Sequence, residues 1–286
     1  MVNVQKVGVV GAGAMGSGIA HLVASSGFNV ILCDVDQKYL EVAFKKIAGL
    51  MDKRIEKNKM TVEEKEAILK RINTTTDLND FVIVDYVIEA VIENVKVKKE
   101  VFERLDNICR EDVILATNTS SISITDIASA TKRPEKVVGM HFFNPPQVMK
   151  LVEVVRGFYT SDETVDFVKE MSKKLGKTPI EVKKDSPGFV VNRLMLAQYV
   201  EAIKLLEEGV ASIEDIDIGV KLGLNHPMGV FELQDFGGLD IGYFVLNYLC
   251  EEFKEARWNP PNELKVLIRA GRLGLKSGAG WYNYQK

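Results

Sequence analysis

The stretch GVVGAGAMGSGIAHLVASSG, residues 8–27, decides the fold. It begins with a short apolar run, passes through Gly11, Gly13 and Gly16, and then takes on a helical pattern. A second apolar run, NVILCD at residues 29–34, follows directly. The sequence therefore predicts a strand, a tight turn, a helix and a second strand within about 30 residues.

The glycine spacing is GxGxxG, and it stands between a strand and a helix, as dinucleotide binding requires. The first glycine allows the tight turn, the second lets backbone approach a pyrophosphate, and the third lets helix and strand pack closely. The helix N-terminus, with Ala14 and Met15, offers amide donors to the phosphates. Asp34 follows about 20 residues later, where a carboxylate accepts hydrogen bonds from a ribose 2′-OH and repels a 2′-phosphate. We therefore expect NAD rather than NADP, although the motif alone leaves FAD open.

Strand and helix patterns alternate along the first two thirds of the chain. The predicted strands are residues 7–10, 29–34, 86–91, 113–117, 137–143, 151–155 and 178–182. A helical insertion is predicted near 45–71, and few strand signals remain after Ser186. We predict an α/β fold, with an N-terminal Rossmann-like doubly wound sheet over residues 1–186 and a C-terminal all-α domain over 187–286.

Composition argues against several classes of protein. The net charge of the 286 residues is −3, so no basic field attracts nucleic acid or an anionic membrane. The sequence has no apolar run long enough to span a bilayer and no targeting segment, so we expect a cytoplasmic protein. Cys33, Cys109 and Cys250 show neither a disulfide framework nor zinc spacing, and we expect no metal.

His141 is a candidate for the proton transfer that accompanies hydride transfer. Imidazole suits this task because its ordinary pKa of ~6.5 lies near working pH. Glu153 lies inside the apolar run KLVEVV, where a lone carboxylate is costly unless it is paired. The intervening NPPQ turn could bring the two side chains together. A core histidine bonded to a backbone carbonyl, with Glu153 exposed, explains the pattern about equally well. His21 and His226 have structural explanations.

Two further polar residues and a lysine pair have both a functional and a structural reading. Ser120 follows a strand at its C-terminal edge, where α/β sheets bind ligands, or it caps the next helix. Asn192 is a lone amide in an apolar helix, where it binds a ligand or packs at the helix start. Lys53 and Lys57 share one helix face, which fits phosphate binding or a solvated basic surface.

A series of segments occurs in order with suitable spacing: GAGAMGSGIA, VIEAVIEN, ATNTSS, GMHFFNP, VMKLVEV, PGFVVNR, NHPMG and KSGAGWYNY. Together they resemble the short-chain L-3-hydroxyacyl-CoA dehydrogenase family, most of all its bacterial 3-hydroxybutyryl-CoA members. The resemblance covers nearly the whole chain. GMHFFNP and PGFVVNR are its specific motifs, whereas the glycine loop is shared with many other families.

The resemblance implies reversible, NAD-dependent oxidation of (S)-3-hydroxyacyl-CoA to 3-oxoacyl-CoA. It implies that His141 is the acid/base, that Glu153 orients it, that Ser120 lies near the reacting oxygen and that Asn192 orients the thioester. The family's cofactor contacts fall on Asp34, Glu93, Lys98, Ser120, Asn144 and Lys276, and its CoA contacts on Lys53 and Lys57. The apolar C-terminal helices further predict a homodimer.

Two positions depart from the family pattern. Gln147 stands where a proline is common, and Leu275 stands where a basic residue is common. We expect no fused hydratase. One rival interpretation is a β-hydroxyacid dehydrogenase that acts on a free acid through a lysine, which the His–Glu and lysine pairs disfavour. The other is a dinucleotide sensor or crystallin-like structural protein, which the retention of all four catalytic candidates disfavours.

Overall fold

The structure is a computed structural model and describes residues 4–284. The chain divides into two compact units, the first ending at Ser186 and the second beginning at Pro187. Across residues 4–284, no helix combines the length and the apolar character needed to cross a membrane.

The first unit contains one eight-stranded sheet. Its strands are β1 Lys6–Val10, β2 Asn29–Cys33, β3 Ile72–Thr75, β4 Tyr86–Glu89, β5 Ile114–Thr117, β6 Val137–Phe142, β7 Leu151–Val155 and β8 Thr178–Val182. They lie in the order β3-β2-β1-β4-β5-β6-β7-β8. All neighbours are parallel except β6 and β7, which are antiparallel. The chain order reverses between β1 and β4, which is the switch point where such sheets bind ligands.

Helices accompany the sheet, and their ends follow local capping chemistry. They are α1 Ala14–Ser25, α2 Gln37–Glu56, α3 Val62–Lys70, α4 Val95–Ile108, α5 Ile124–Ala128 and α6 Asp162–Lys174. Thr61 and Glu64 form a capping box at the start of α3. Ser161 caps α6, whose last turn carries two lysines that complement the helix dipole. These caps fix where the connecting loops leave the helices.

The predicted Rossmann-like sheet is confirmed. The central strands are apolar because both of their faces are covered, and all six residues of β6 are buried. β3 was not predicted, because its sequence INTT has only one apolar residue and it pairs with β2 alone. It forms the edge of the sheet, where polar residues are tolerated.

The second unit is helical, as predicted. Its helices are α7 Val191–Glu207, α8 Ile213–Gly223, α9 Val230–Gly237, α10 Leu239–Phe253 and α11 Asn262–Arg269. Its apolar core includes Leu246, Leu249 and Phe231. Asp235 is buried and accepts hydrogen bonds from the backbone of Trp281 and Tyr282, which fastens the C-terminal tail to α9.

Candidate active site

The phosphate loop between β1 and α1 needs its first and third glycines for the backbone to fit. Gly11 has a φ of 99°, and its N–H donates to the carbonyl of Cys33 at 2.7 Å. A Cβ at Gly16 would overlap the carbonyl oxygen of Gly11. A Cβ at Gly13, in contrast, would meet nothing within 4 Å. Open space therefore lies beside Gly13, where a dinucleotide fingerprint places the pyrophosphate.

The amides at the start of α1 point toward the same space. Gly13 is the N-cap residue and has no side chain that could cap them, so the first-turn amides of Ala14 and Met15 can serve an anion. Asp34 lies at the end of β2, and its Oδ2 accepts from the amide of Ala12 at 2.6 Å. The carboxylate is thus held beside the loop, where it suits a ribose 2′-OH and opposes a 2′-phosphate. These residues fit NAD.

His141 and Glu153 are brought together by the pairing of β6 with β7. The antiparallel register places the two residues directly opposite each other, so their side chains project from the same face. His141 Nδ1 lies 2.6 Å from Glu153 Oε2. Glu153 is fully buried and His141 is 5% exposed. The carboxylate therefore sets the orientation of the imidazole ring.

A second buried carboxylate lies at the end of β4. Glu89 accepts from Lys98 Nζ at 2.7 Å and from Thr117 Oγ1 at 2.6 Å. It also accepts from the amide of Val91 at 2.6 Å, in the loop beyond β4. Lys98 is 1% exposed although it was predicted to contact the cofactor. In the structure its ammonium bridges Glu89 and Glu93, at 2.7 and 3.4 Å.

Glu93 organises the loop after β5. Its Oε1 accepts from Thr119 Oγ1 at 2.6 Å and from the amide of Ser120 at 2.9 Å. Burial acts to raise the pKa of Glu93, but the charge of Lys98 and these hydrogen bonds more than offset it, so the pKa lies below its usual value. An ionised Glu93 thus fixes the backbone that carries Ser120, which caps no helix; Ser123 is the cap of α5.

The turn between β6 and β7 carries Asn144 and lies against α1. A Cβ on Gly18 would lie 2.6 Å from Pro146 Cγ and 2.9 Å from Gln147 Oε1, so only glycine allows this approach. Asn118 Oδ1 accepts from the amide of Phe142 at 2.9 Å where the turn begins. Asn144 is exposed and lines a cavity of about 200 Å³ between α1, α2 and the turn.

Gln147 replaces the proline common in the family with a polar group that is not satisfied locally. Its Oε1 is buried and has no hydrogen-bond partner among residues 4–284. His21 lines the same cavity, and burial, helped by the charge of Arg54, lowers the pKa of its imidazole. His21 therefore favours the neutral form.

The remaining predicted contacts are four residues, two at the end of α2 and two in the second unit. Lys53 lies in the last turn of α2 and Lys57 is its C-cap residue, and both are exposed. In the second unit, Asn192 is half-buried at the start of α7. Lys276, also there, has its Nζ within 2.6 Å of both carboxylate oxygens of Asp240. The predicted ligand contacts of these four residues stay predictions. No metal-binding group of three His, Cys, Asp or Glu occurs within the described chain.

The interpretation of the sequence missed three side chains that shape the site. Glu89 carried the same signal as Glu153, a lone carboxylate in an apolar strand, and could have been found by it. Asn118 and Lys177 gave no comparable signal, because their partners are backbone groups distant in sequence.

Known protein families and relatives match nearly the whole chain. Residues 6–186 match the family model described as 3-hydroxyacyl-CoA dehydrogenase, NAD binding domain. Residues 188–284 match the model described as 3-hydroxyacyl-CoA dehydrogenase, C-terminal domain. The 3-hydroxybutyryl-CoA dehydrogenase of Clostridioides difficile is 45% identical over 282 residues, which cover 99% of this chain and 100% of that protein.

Solved structures agree. The (S)-3-hydroxybutyryl-CoA dehydrogenase PaaH1 from Ralstonia eutropha superposes with a TM-score of 0.95 at 45% identity, covering 99% of this chain and 100% of that one. A diketoreductase that acts on dicarbonyl compounds superposes with a TM-score of 0.88 at 31% identity, covering 99% and 100% of the two chains. The family models and these relatives show that the chain belongs to the 3-hydroxyacyl-CoA dehydrogenase family and that its cofactor is NAD.

Proposed function

We propose that the protein interconverts short-chain (S)-3-hydroxyacyl-CoA, such as 3-hydroxybutyryl-CoA, and 3-oxoacyl-CoA, with His141 and Glu153 as the acid/base pair. The contact between His141 Nδ1 and Glu153 Oε2, at 2.6 Å inside the sheet, is the observation that supports the pair. The near identity in fold and length to 3-hydroxybutyryl-CoA dehydrogenases supports the substrate.

Proton transfer by His141 and Glu153 requires no movement of the backbone of β6 or β7. Because Nδ1 faces Glu153, we assign Nε2 of His141 as the atom that takes the C3 hydroxyl proton during oxidation and returns it during reduction. Bound NAD⁺ supplies the hydride acceptor. Glu153 keeps the proton on Nδ1 and stabilises the imidazolium that forms. Ser120 and Asn192 are assigned to the β-oxygen and the thioester, as the family resemblance implies.

The decisive experiment follows NADH absorbance with acetoacetyl-CoA and, separately, with free acetoacetate. We expect NADH oxidation with the thioester. Activity on the free acid alone would favour a β-hydroxyacid dehydrogenase. Activity on non-thioester dicarbonyl compounds alone would favour a function like that of the diketoreductase. No activity with any of these compounds would refute the proposed reaction.

Two substitutions test the acid/base pair. His141→Gln should lower turnover by about 10²–10⁴-fold, the usual contribution of general acid–base catalysis, while the protein stays folded. Glu153→Gln should lower turnover and alter the pH–rate profile. His226→Gln, at an exposed position in the second unit, is the matched control and should leave both unchanged. Turnover near wild type in the His141 variant would end the assignment.

We also propose that the protein forms a homodimer through the helical second unit. Large apolar side chains are exposed on its helices, including Leu222 on α8 and Ile241 and Phe244 on α10, which are 82%, 57% and 57% exposed. We infer that these side chains contribute to a self-association surface, because large contiguous apolar patches mark interfaces. Light scattering should give a dimer mass that Phe244→Asp reduces, whereas Val42→Asp on α2 does not. A monomeric wild-type protein would contradict this proposal.

A further inference from the structure

Lys177 is a buried cation that the proposed mechanism does not use. It lies in the short link between α6 and β8 and is 7% exposed. Its Nζ donates to the carbonyl oxygen of Pro146 at 2.5 Å and to that of Met149 at 2.7 Å. Ion–carbonyl hydrogen bonds are stronger than neutral ones, and burying an ammonium is costly unless such bonds compensate. The Lys177 side chain therefore joins the link between α6 and β8 to the turn between β6 and β7. An apolar residue at this buried position would avoid the free-energy cost of removing a charge from water.

The two carbonyls belong to the turn that joins the strands of His141 and Glu153. This turn contains the cis bond Asn144–Pro145 and a single helical bend, in which the amide of Met149 donates to the carbonyl of Pro145 at 3.0 Å. Lys177 binds the first half of the turn at Pro146 and the second half at Met149. It thus fixes both halves with one group.

The opposite side of the turn rests on the helix of the phosphate loop. Pro146 is buried and packs against Gly18, four residues after α1 begins at Ala14. The turn is therefore held between Lys177 on one side and α1 on the other. Nearby, the amide of Thr178 donates to the carbonyl of Lys150 at 2.8 Å, which fixes the exit of the turn.

We propose that Lys177 is a positioning residue for hydride transfer: it holds the β6–β7 turn against α1 and so sets the place of Asn144, a predicted cofactor contact. The inference rests on the proposed function, because it assumes that Asn144 faces the cofactor. Lys177 touches neither reactant. It acts through the backbone of Pro146 and Met149.

Replacement of Lys177 by methionine gives an unbranched side chain only one atom shorter and removes its hydrogen-bond donors. In Lys177→Met, the turn loses its anchor and Asn144 shifts. Displacements of about 1 Å at a reacting centre cost up to about 100-fold in rate, so we expect kcat to fall at least about tenfold. KM for acetoacetyl-CoA should stay within about threefold, because the predicted CoA contacts, Lys53 and Lys57, lie at the end of α2 and not on the turn.

The test must separate positioning from loss of stability. Val168→Ala, in the buried face of α6, should lower the melting temperature but leave kcat of the folded enzyme unchanged. Lys173→Met removes an exposed charge from the same helix and should change neither. We expect Lys177→Met alone to lower kcat at temperatures where all variants are fully folded by circular dichroism.

A kinetic isotope effect provides a measurement that does not depend on the stability of the protein. With NADH deuterated at the transferred position, the isotope effect on kcat should rise in Lys177→Met, because slower hydride transfer then limits turnover. Wild-type kcat and isotope effect in folded Lys177→Met would overturn the inference and leave the proposed function intact. Wild-type protein that does not oxidise NADH with acetoacetyl-CoA would instead refute the proposed function itself.

Discussion

Removal of the Lys98 ammonium tests whether this residue supports the fold or only contacts the cofactor. Lys98 and Glu89 are 1% and 0% exposed, and their charged atoms lie 2.7 Å apart. Lys98→Met would leave Glu89 as a buried charge beside Glu93, which shares the same ammonium at 3.4 Å. Breaking a buried pair from one side costs about 3–5 kcal/mol.

That cost should be visible as a large fall in thermal stability. For a domain of 150–250 residues, 1 kcal/mol shifts Tm by about 2–4 °C, so Lys98→Met should lower Tm by about 6–20 °C. Glu89→Gln in the same chain removes the stranded charge and should restore at least about 1 kcal/mol. Lys96→Met, at an exposed position two residues earlier on α4, should have almost no effect.

The two units offer separate signals for this experiment. Both tryptophans, Trp258 and Trp281, lie in the second unit, whereas far-UV circular dichroism follows both units. Lys98 lies in the first unit, so the unfolding transition that Lys98→Met moves to lower temperature should appear in circular dichroism. Its midpoint is compared with the midpoint that tryptophan fluorescence gives for the second unit. An unchanged Tm together with a raised KM for NADH would refute the reasoning, because it would make Lys98 an accessible cofactor ligand.

Three further predictions follow from the structure. Gly13→Ala should fold with wild-type Tm but bind NADH more weakly. Gly16→Ala should lower Tm as well, because its Cβ would overlap backbone. Thermal melts and fluorescence titration with NADH distinguish the two variants. Burial acts to raise the pKa of Glu93, but the Lys98 charge and the hydrogen bonds to Glu93 lower it below 4.5. The ionised Glu93 therefore contributes fully to the stability of the folded protein above pH 4.5, and this contribution is lost as pH falls through the folded-state pKa. In urea titrations, the free energy of unfolding of Glu93→Gln should fall less steeply below pH 4.5 than that of the wild type. Asp235→Ala removes the acceptor of three donors, at 2.9 Å each, and should destabilise the second unit by at least about 3 kcal/mol, measured by tryptophan fluorescence in urea; an unchanged midpoint would contradict this.

Most of the fold follows from patterns that extend over a few residues. Long apolar runs bounded by turns, such as those around Val138 and Val154, predicted their strands because buried parallel and central strands are apolar on both faces. The strand Ile72–Thr75 gave no such run and was missed.

The site was predictable where one residue conflicts with its surroundings, and not where the partner is backbone. Glu153 interrupts an apolar strand, which made pairing with His141 one of two interpretations, the other being an exposed carboxylate; the structure shows the contact. Their register could not be predicted, because a shift of one residue would turn the two side chains to opposite faces. Lys177 looked like an ordinary polar link residue, since carbonyl acceptors leave no mark in the sequence.

Glu89 and Glu153 are both fully buried but have different partners, and the proposed function gives the two carboxylates different roles. Glu89 contacts the Lys98 ammonium, Thr117 Oγ1 and the amide of Val91, and these contacts hold the loop after β4. Glu153 contacts the imidazole of His141, and histidine is the side chain that most often acts as a general acid or base in enzymes. In the proposed mechanism, Glu153 stabilises the imidazolium that forms when His141 takes up the substrate proton, whereas Glu89 takes part in no proton transfer. We therefore propose a catalytic role for Glu153, whose partner is a histidine, and a structural role for Glu89, whose partner is a lysine.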